Sequence, residues 1–342
     1  MRSAAYWLMA VVAFALAAPA VVNAALARYG RWAHPPAGRF YDVGGARMHL
    51  DCTGTGSPTI ILEAGLGDDW LQWRRVQPAL SQIARVCSYD RAGYGWSDPQ
   101  PGPRDSIHIA DELHALLQQA GISGPIVLMG HSAGGLHIRE YATKYPAGIV
   151  GMVFVDASTP TQEDVLPAEL TLQDDMRWPK VETFLGIERL RGRCGEHEWT
   201  GRGTVPSDSP EQAAELRADD CELSVLNTTE REEEAFRASC REAGETGPFP
   251  NVPVLIFSED PQHRPPGWEP ARLFPVFAQR WNTLQEGLKQ LSPRSRRIIA
   301  RGSSHYVQVD RPELVISEVG HMIRSMQGIE PPPADYGTTR TE

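Results

Sequence analysis

The sequence predicts an α/β fold: a mostly parallel sheet with helices on both faces and one helical insertion after the sixth strand. Three observations carry this. Short apolar runs alternate with segments of helical spacing, the alternation stops for roughly ninety residues in the second half, and it then resumes in the same style. With 342 residues, 41% of them hydrophobic, the chain can bury one large core and still carry an inserted cap.

From Ser3 to Ala27 no residue carries a charge, Arg2 supplies a short basic start, and Ala25-Leu26-Ala27 has the small-x-small form of a signal-peptidase site. Residues 1–27 are therefore expected to be a signal peptide or an N-terminal membrane anchor, since the run is also long enough to cross a hydrocarbon core of about 30 Å. The body is then expected outside the cytoplasm, secreted or periplasmic, tethered to the membrane if the segment stays. Arg28 and Arg31, just after the run, argue for the opposite orientation.

Residues 28–160 read as the first part of the core. Gly38 to Val43 and Ala46 to Cys52 are strands joined by Gly44-Gly45, a dipeptide suited to a tight hairpin. Pro58 to Glu63, Ala84 to Tyr89 and Pro125 to Met129 are short apolar runs, separated by helical spacing around Trp70 to Ser81 and Ile107 to Ala120. A helix from about Ala133 to Tyr145 leads to a sixth strand, Ile149 to Val155. Residues 161–248 are charged, with helical stretches near Pro167 to Trp178, Val181 to Leu190, Glu211 to Leu226 and Glu230 to Glu242, and are expected to form a helical lid. The core resumes over 249–327 with strand Val252 to Phe257, a helix around Phe274 to Leu291, strand Arg296 to Ala300 and a last helix, Pro312 to Met326. Residues 328–342, opening with Pro331-Pro332-Pro333, read as a frayed tail.

A net charge of −10, with acidic residues crowded between Glu211 and Glu245, opposes contact with a phosphate backbone, so no nucleic-acid partner is expected. No glycine-rich phosphate loop, metal-ligand helix motif or dinucleotide fingerprint follows any strand, so neither a cofactor nor a metal is expected. Five cysteines are few for a disulfide scaffold. In an exported body Cys52 and Cys87 could bridge two strands, and two of Cys194, Cys221 and Cys240 could staple the insertion; the alternative is ordinary buried thiols.

The strongest chemical signal is Gly130-His131-Ser132-Ala133-Gly134, lying between an apolar strand and a helix. A serine on such a turn is held in a strained backbone and projects its hydroxyl above the sheet. The helix start behind it aims unpaired N–H groups at any oxyanion formed there, so Ala133 N–H is one expected oxyanion donor. Ala64-Gly65-Leu66-Gly67, after the third strand, should supply the second through Leu66 N–H. Ser132 needs a base. Of ten histidines only His305 follows the last strand on a loop, Arg301-Gly302-Ser303-Ser304, that can reach over the sheet's C-terminal edge. His321, His108 and His114 lie on helices, and His131 shapes the elbow. The orienting acid is Asp156, directly after Met152-Val153-Phe154-Val155, with Asp260 and then Glu259 as alternatives; the register five residues past the seventh strand falls on Gln262, which carries no charge.

With Tyr89-Asp90-Arg91-Ala92-Gly93-Tyr94-Gly95-Trp96-Ser97-Asp98 added, the chain resembles the α/β-hydrolase superfamily over roughly Arg39 to Met326, the lid excepted, in the branch of proline-iminopeptidase and esterase types. The resemblance implies an eight-stranded, mostly parallel sheet, a lid after the sixth strand, and a structural part for Asp90 and Arg91. Some dehalogenase-like members take their acid in a context similar to Val155-Asp156-Ala157-Ser158-Thr159-Pro160, which implies Asp156, while others use the seventh strand. The family usually has His-Gly before the oxyanion donor; here Ala64-Gly65 stands there, a change that a backbone donor survives.

The function expected is that of a serine hydrolase acting on small or medium carboxylic esters through an acyl-enzyme. Peptidase or thioesterase chemistry on the same site, or a catalytically silent binding module, are the alternatives. Haloalkane and epoxide hydrolysis need a carboxylate nucleophile, because a serine would give an inert ether. Trp70 and Trp73 could line an acyl pocket or pack in the core, and Trp178, Phe184 and Trp199 are the lid's aromatic residues.

Overall fold

The structure is a computed structural model that describes residues 2–170, 175–194, 210, 214, 221–245, 249–264 and 270–342; of residues 2–5 and 8–16 it describes the helical backbone alone. A long helix, α1 (Arg2–Ala33), precedes the hairpin β1 (Arg39–Val43) and β2 (Ala46–Thr53). The parallel strands follow: β3 (Thr59–Glu63), β4 (Arg85–Tyr89), β5 (Ile126–His131), β6 (Ile149–Val155), β7 (Val254–Ser258), β8 (Ser295–Ile299) and β9 (Thr339–Thr341). Among the described residues they form one sheet in the order β1-β2-β4-β3-β5-β6-β7-β8-β9, antiparallel only at β1/β2 and β2/β4.

The central strands are apolar over most of their length because both their faces are covered. Alternate residues divide between two cores. Ile61, Leu128, Met152, Phe154 and Ile256 face helices α3 (Ser106–Gln119) and α4 (Gly134–Lys144) through Leu113, Leu116, Ile138 and Tyr141. Ile60, Leu62, Val127, Met129, Val153, Val155 and Phe257 face the other side, against Trp73, Val76, Val315, Val319 and Ile323. The two-residue period of a strand is what permits this split.

Helix α3 starts at Ser106 because Asp105 accepts from His108 N, a side-chain N-cap. The segment expected to be helical from Trp70 to Ser81 instead divides into a 3₁₀ turn, Trp70–Trp73, and the one-turn helix α2 (Gln77–Leu80). Between the strands β6 and β7 lie α5 (Gln162–Val165), α6 (Arg177–Phe184), α7 (Ile187–Leu190) and the 22-residue α8 (Leu223–Gly244). The single helix expected over Val181 to Leu190 is interrupted at Gly186, whose φ of 70° no right-handed helix accommodates. Most of the expected helix Glu211 to Leu226 lies outside the described residues. The core closes with α9 (Phe274–Gly287), α10 (Val307–Asp310) and α11 (Pro312–Met326).

The tail is a correction. Residues 328–342 read as frayed, and the sheet as eight-stranded, yet β9 pairs parallel to β8 with Arg297 opposite Thr339 and Ile299 opposite Thr341. Arg340 ties the strand to Glu318 and Asp335. Three polar residues carry no apolar pattern, so the pairing left no trace in the sequence.

Cys52 and Cys87, directly opposed on β2 and β4, form one disulfide, and Cys194–Cys221 forms a second within the insertion. Cys240 is a buried free thiol whose burial pushes its pKa up to about 12.

Among the described residues no helix is long and apolar enough to cross a membrane. The leader or anchor expected over residues 1–27 falls largely on side chains outside the described residues. The C-terminal part of α1 docks on the body: Asn23 Nδ2 donates to Thr183 O at 2.8 Å and Asn23 Oδ1 accepts from Arg189 Nε at 2.9 Å. Arg31 donates to Gly95 O at 3.1 Å and lies 4.2 Å over the Trp96 ring.

Candidate active site

Four loops meet at the C-terminal edge of the sheet, after β3, β5, β6 and β8, and each brings a residue singled out above. Ser132 sits between β5 and α4 at φ 50°, a left-handed conformation costly for a residue with a Cβ. The turn is tight enough that a Cβ on Gly134 would lie 2.6 Å from Ala64 O and 2.7 Å from Glu63 O, so only glycine lets α4 start this close to β3. Ser132 is pinned by its backbone: its N–H donates to Val155 O at 3.2 Å and its carbonyl accepts from Ser158 N at 2.8 Å.

Asp156 follows β6 at φ 41°, a second strained residue at the same edge. Its side chain is fully buried. Oδ2 accepts from His305 Nδ1 at 2.6 Å, and Oδ1 accepts from Trp281 Nε1 at 2.9 Å and from Glu259 N at 3.0 Å. Three donors hold one carboxylate, which satisfies a buried charge. With Nδ1 donating to Asp156, the protonated nitrogen of a neutral His305 ring is fixed, and Nε2 becomes the basic nitrogen.

The serine's neighbour reaches this histidine. His131 Nε2 lies 3.1 Å from His305 O, and the two rings are 4.6 Å apart between centroids. On its other side His131 Nδ1 faces Asp68, 3.6 Å from Oδ2, and Tyr306 donates its hydroxyl proton to Asp68 at 3.3 Å. His131 is thus a bracket between the loops after β3, β5 and β8.

The other acid candidates do different work. Asp260, half-buried, accepts from Gln262 N in its own loop at 2.9 Å and from Gly302 N in the loop that carries His305 at 2.8 Å, and makes no bond to the His305 ring. Glu259 offers Asp156 its backbone N–H. Potential ligand atoms of Asp156, Glu259 and His305 lie within 4.8 Å of one another, but both Asp156 oxygens and His305 Nδ1 are already committed to the hydrogen bonds above, so the cluster is an acid–histidine pair in its chemistry. His321 reaches Pro331 O, and His108 is held by Asp105. His114 stacks on Tyr145.

Leu66 and Ala133, the expected oxyanion donors, are both buried and pack in one small cluster. A Cβ on Gly65 would come within 3.3 Å of Ser132 Cβ and 2.9 Å of His131 Nδ1, so this loop passes directly over the serine. Asp90 is structural, as the resemblance implied: it accepts from Trp70 N, Trp96 N and His49 Nδ1. Trp73 is wholly buried in the core and Trp70 clusters with Leu71 and Trp96, so packing accounts for both. Trp178 and Phe184 are exposed, 72% and 51%, and Trp199 lies outside the described residues. Trp281 was missed, because nothing in an amphipathic helix marks which indole N–H turns to a carboxylate.

Residues 58–188 match a family model described as the alpha/beta hydrolase fold. The chain is 29% identical over 84% of its length to a protein of Hormonema carpetanum named "Probable transporter efuK", of which it spans 42%. It is 26% identical over 78% of its length to an AB hydrolase superfamily protein of Gibberella zeae, covering 86% of that protein. Among solved structures, Cfl2 of Burkholderia cenocepacia superposes with a TM-score of 0.59 at 25% identity, over 84% of this chain and 95% of that one.

Proposed function

From the premise that this chain belongs to the α/β-hydrolase superfamily, we propose that it is a serine hydrolase of carboxylic esters, with Ser132 as nucleophile, His305 as general base and Asp156 as the orienting acid. The observation that carries this is the 2.6 Å contact between Asp156 Oδ2 and His305 Nδ1, at the same sheet edge as a serine held at φ 50°.

In the first half-reaction Ser132 Oγ attacks the ester carbonyl while His305 Nε2 takes its proton. Asp156 fixes the ring and balances the imidazolium that forms; with its other oxygen tied to Trp281 and Glu259 N, it does not turn away as charge develops. The Leu66 and Ala133 N–H groups receive the oxyanion. His305 then protonates the leaving alkoxide, and water, activated by the same nitrogen, releases the acid from the acyl-enzyme. Cys240 does not compete as nucleophile, since a thiol titrating near 12 carries almost no thiolate at neutral pH.

The body is read as exported, which its two disulfides support, because such bonds persist in oxidising compartments.

A panel of p-nitrophenyl esters of increasing acyl length, with a thioester and an anilide, tests the function on wild type and Ser132→Ala. Ester turnover is expected to fall by about 10³-fold or more in kcat with KM little changed, and a fluorophosphonate is expected to add to Ser132 in wild type. A folded wild type with no adduct and no turnover ends the proposal.

A further inference from the structure

Arg91 plays no part in the chemistry above, yet all five of its N–H donors are spent within reach of it. The side chain is 2% exposed. Nη1 donates to Glu63 Oε1 and to Ala64 O, both at 2.8 Å; Nη2 donates to Gly65 O at 2.7 Å and Glu232 Oε2 at 3.0 Å; Nε donates to Glu232 Oε1 at 3.0 Å. Two of these five bonds go to consecutive carbonyls of the loop that carries the Leu66 donor.

A peptide unit is planar and trans, so its C=O and N–H point in opposite directions. Gly65 O and Leu66 N–H belong to one such unit. Fixing the oxygen against Arg91, with a second bond from Asp68 N at 3.2 Å, fixes where the N–H points. The loop itself supplies only the weaker of these two bonds, that from Asp68 N, and Gly65, with no Cβ, offers little local resistance to rotating the unit. On the far side of the guanidinium Glu232, in the middle of α8, accepts from Nε and Nη2 as a two-pronged pair and also accepts from Tyr94 OH at 3.1 Å. Helix α8 belongs to the insertion, whereas Glu63 ends β3 and Ala64 opens the loop after it. Arg91 therefore joins the two.

We infer that Arg91 is a positioning residue that aims the Leu66 N–H at the oxyanion site, and that Glu232 of the inserted helix α8, by clamping Arg91, makes that aim depend on the seating of the lid. The proposal rests on the serine-hydrolase reading. One misdirected oxyanion donor costs about 10² to 10³ in kcat, so a partial loss of aim gives a smaller but measurable fall.

The test uses the full chain as wild type, Arg91→Lys and Glu232→Gln. Lysine keeps the buried charge but cannot serve both carbonyls and both carboxylates at once. Glutamine keeps the shape of Glu232 and leaves Arg91 in place. Competent sites are counted by fluorophosphonate labelling run to completion; kcat per labelled site and KM are read on a p-nitrophenyl ester, with Ki for an alkylboronic acid, whose tetrahedral adduct occupies the oxyanion site. The expected result is a fall in kcat per site of about 10- to 100-fold for Arg91→Lys and about 3- to 10-fold for Glu232→Gln, KM nearly unchanged, and boronate affinity weakened in step with kcat. A loss confined to the number of labelled sites or to Tm, with kcat per site and boronate affinity as in wild type, shows that Arg91 only holds the fold and overturns the proposal. If Arg91→Lys does not fold, Glu232→Gln decides by the same two readouts. A wild type that takes up no fluorophosphonate at Ser132 removes the serine-hydrolase reading itself, which is a different failure.

Discussion

Asp156 and Asp260 look alike in sequence, each within two residues of a strand's end, and their hydrogen bonds separate them. Asp156→Asn is expected to lower kcat by about 10⁴-fold, because an amide in place of Oδ2 disfavours the tautomer that leaves Nε2 basic. Asp260→Asn, which removes one bond to a loop backbone and none to the His305 ring, is expected to stay within a few-fold of wild type; kcat on one ester decides both. Trp281→Phe deletes a donor to Asp156 Oδ1 and is expected to cost about tenfold in kcat, the worth of one hydrogen bond to a buried charge. Glu63 carries a pH signature. Burial first of all pushes its carboxyl from 4.5 up to about 6, against the pull of Arg91 and the hydrogen bonds from Tyr89 and Arg91. The folded state thus binds this proton more tightly than the unfolded chain. Its contribution is complete below pH 4.5 and is lost as pH rises through about 6, a change of about 2 kcal/mol. Glu63→Gln should flatten the dependence of Tm on pH across that window, and parallel profiles for variant and wild type would contradict the assignment.

At the scale of elements, the Cys52–Cys87 bridge closes a loop of 35 residues across two paired strands. Cys52→Ala with Cys87→Ala is expected to lower unfolding free energy by about 3–4 kcal/mol, the loop-closure entropy of that length, measured by denaturant titration of both forms. The strands β3, β5, β6 and β7 were legible because continuous apolar runs bounded by turn residues have few other uses. Helix α11 was legible to the residue, opened by Pro312 in its first turn. The insertion was legible as a change of composition and in part as helices: the expected Glu230 to Glu242 lies inside α8, which begins at Leu223 and runs to Gly244 without the break expected after Leu226. Strand β9 was invisible for the opposite reason, three polar residues that become a strand only because β8 leaves an edge unpaired.

Across the whole molecule, α1 and the insertion are one assembly. Asn23 bonds to both Thr183 and Arg189, and a Cβ on Gly186 would lie 2.8 Å from Asn23 Cβ, so the helix break at Gly186 is also the seat for α1. Asn23→Ala is expected to lower stability by about 1–2 kcal/mol through two lost hydrogen bonds, seen in thermal unfolding and in faster amide exchange over residues 177–190. The class of fold, the serine on its strand-to-helix turn, the histidine after the last core strand and the place of the insertion could all be read from the residues alone. These are written locally, as strand periodicity, glycines beside a serine and the order of elements. Which aspartate meets His305, that Trp281 supports it, that Arg91 spans from the loop after β3 to the lid, and that residues 339–341 join the sheet emerged from the assembled fold. Each of those depends on which strand lies beside which, and residues more than a hundred positions apart acquire a shared geometry only when the sheet is assembled.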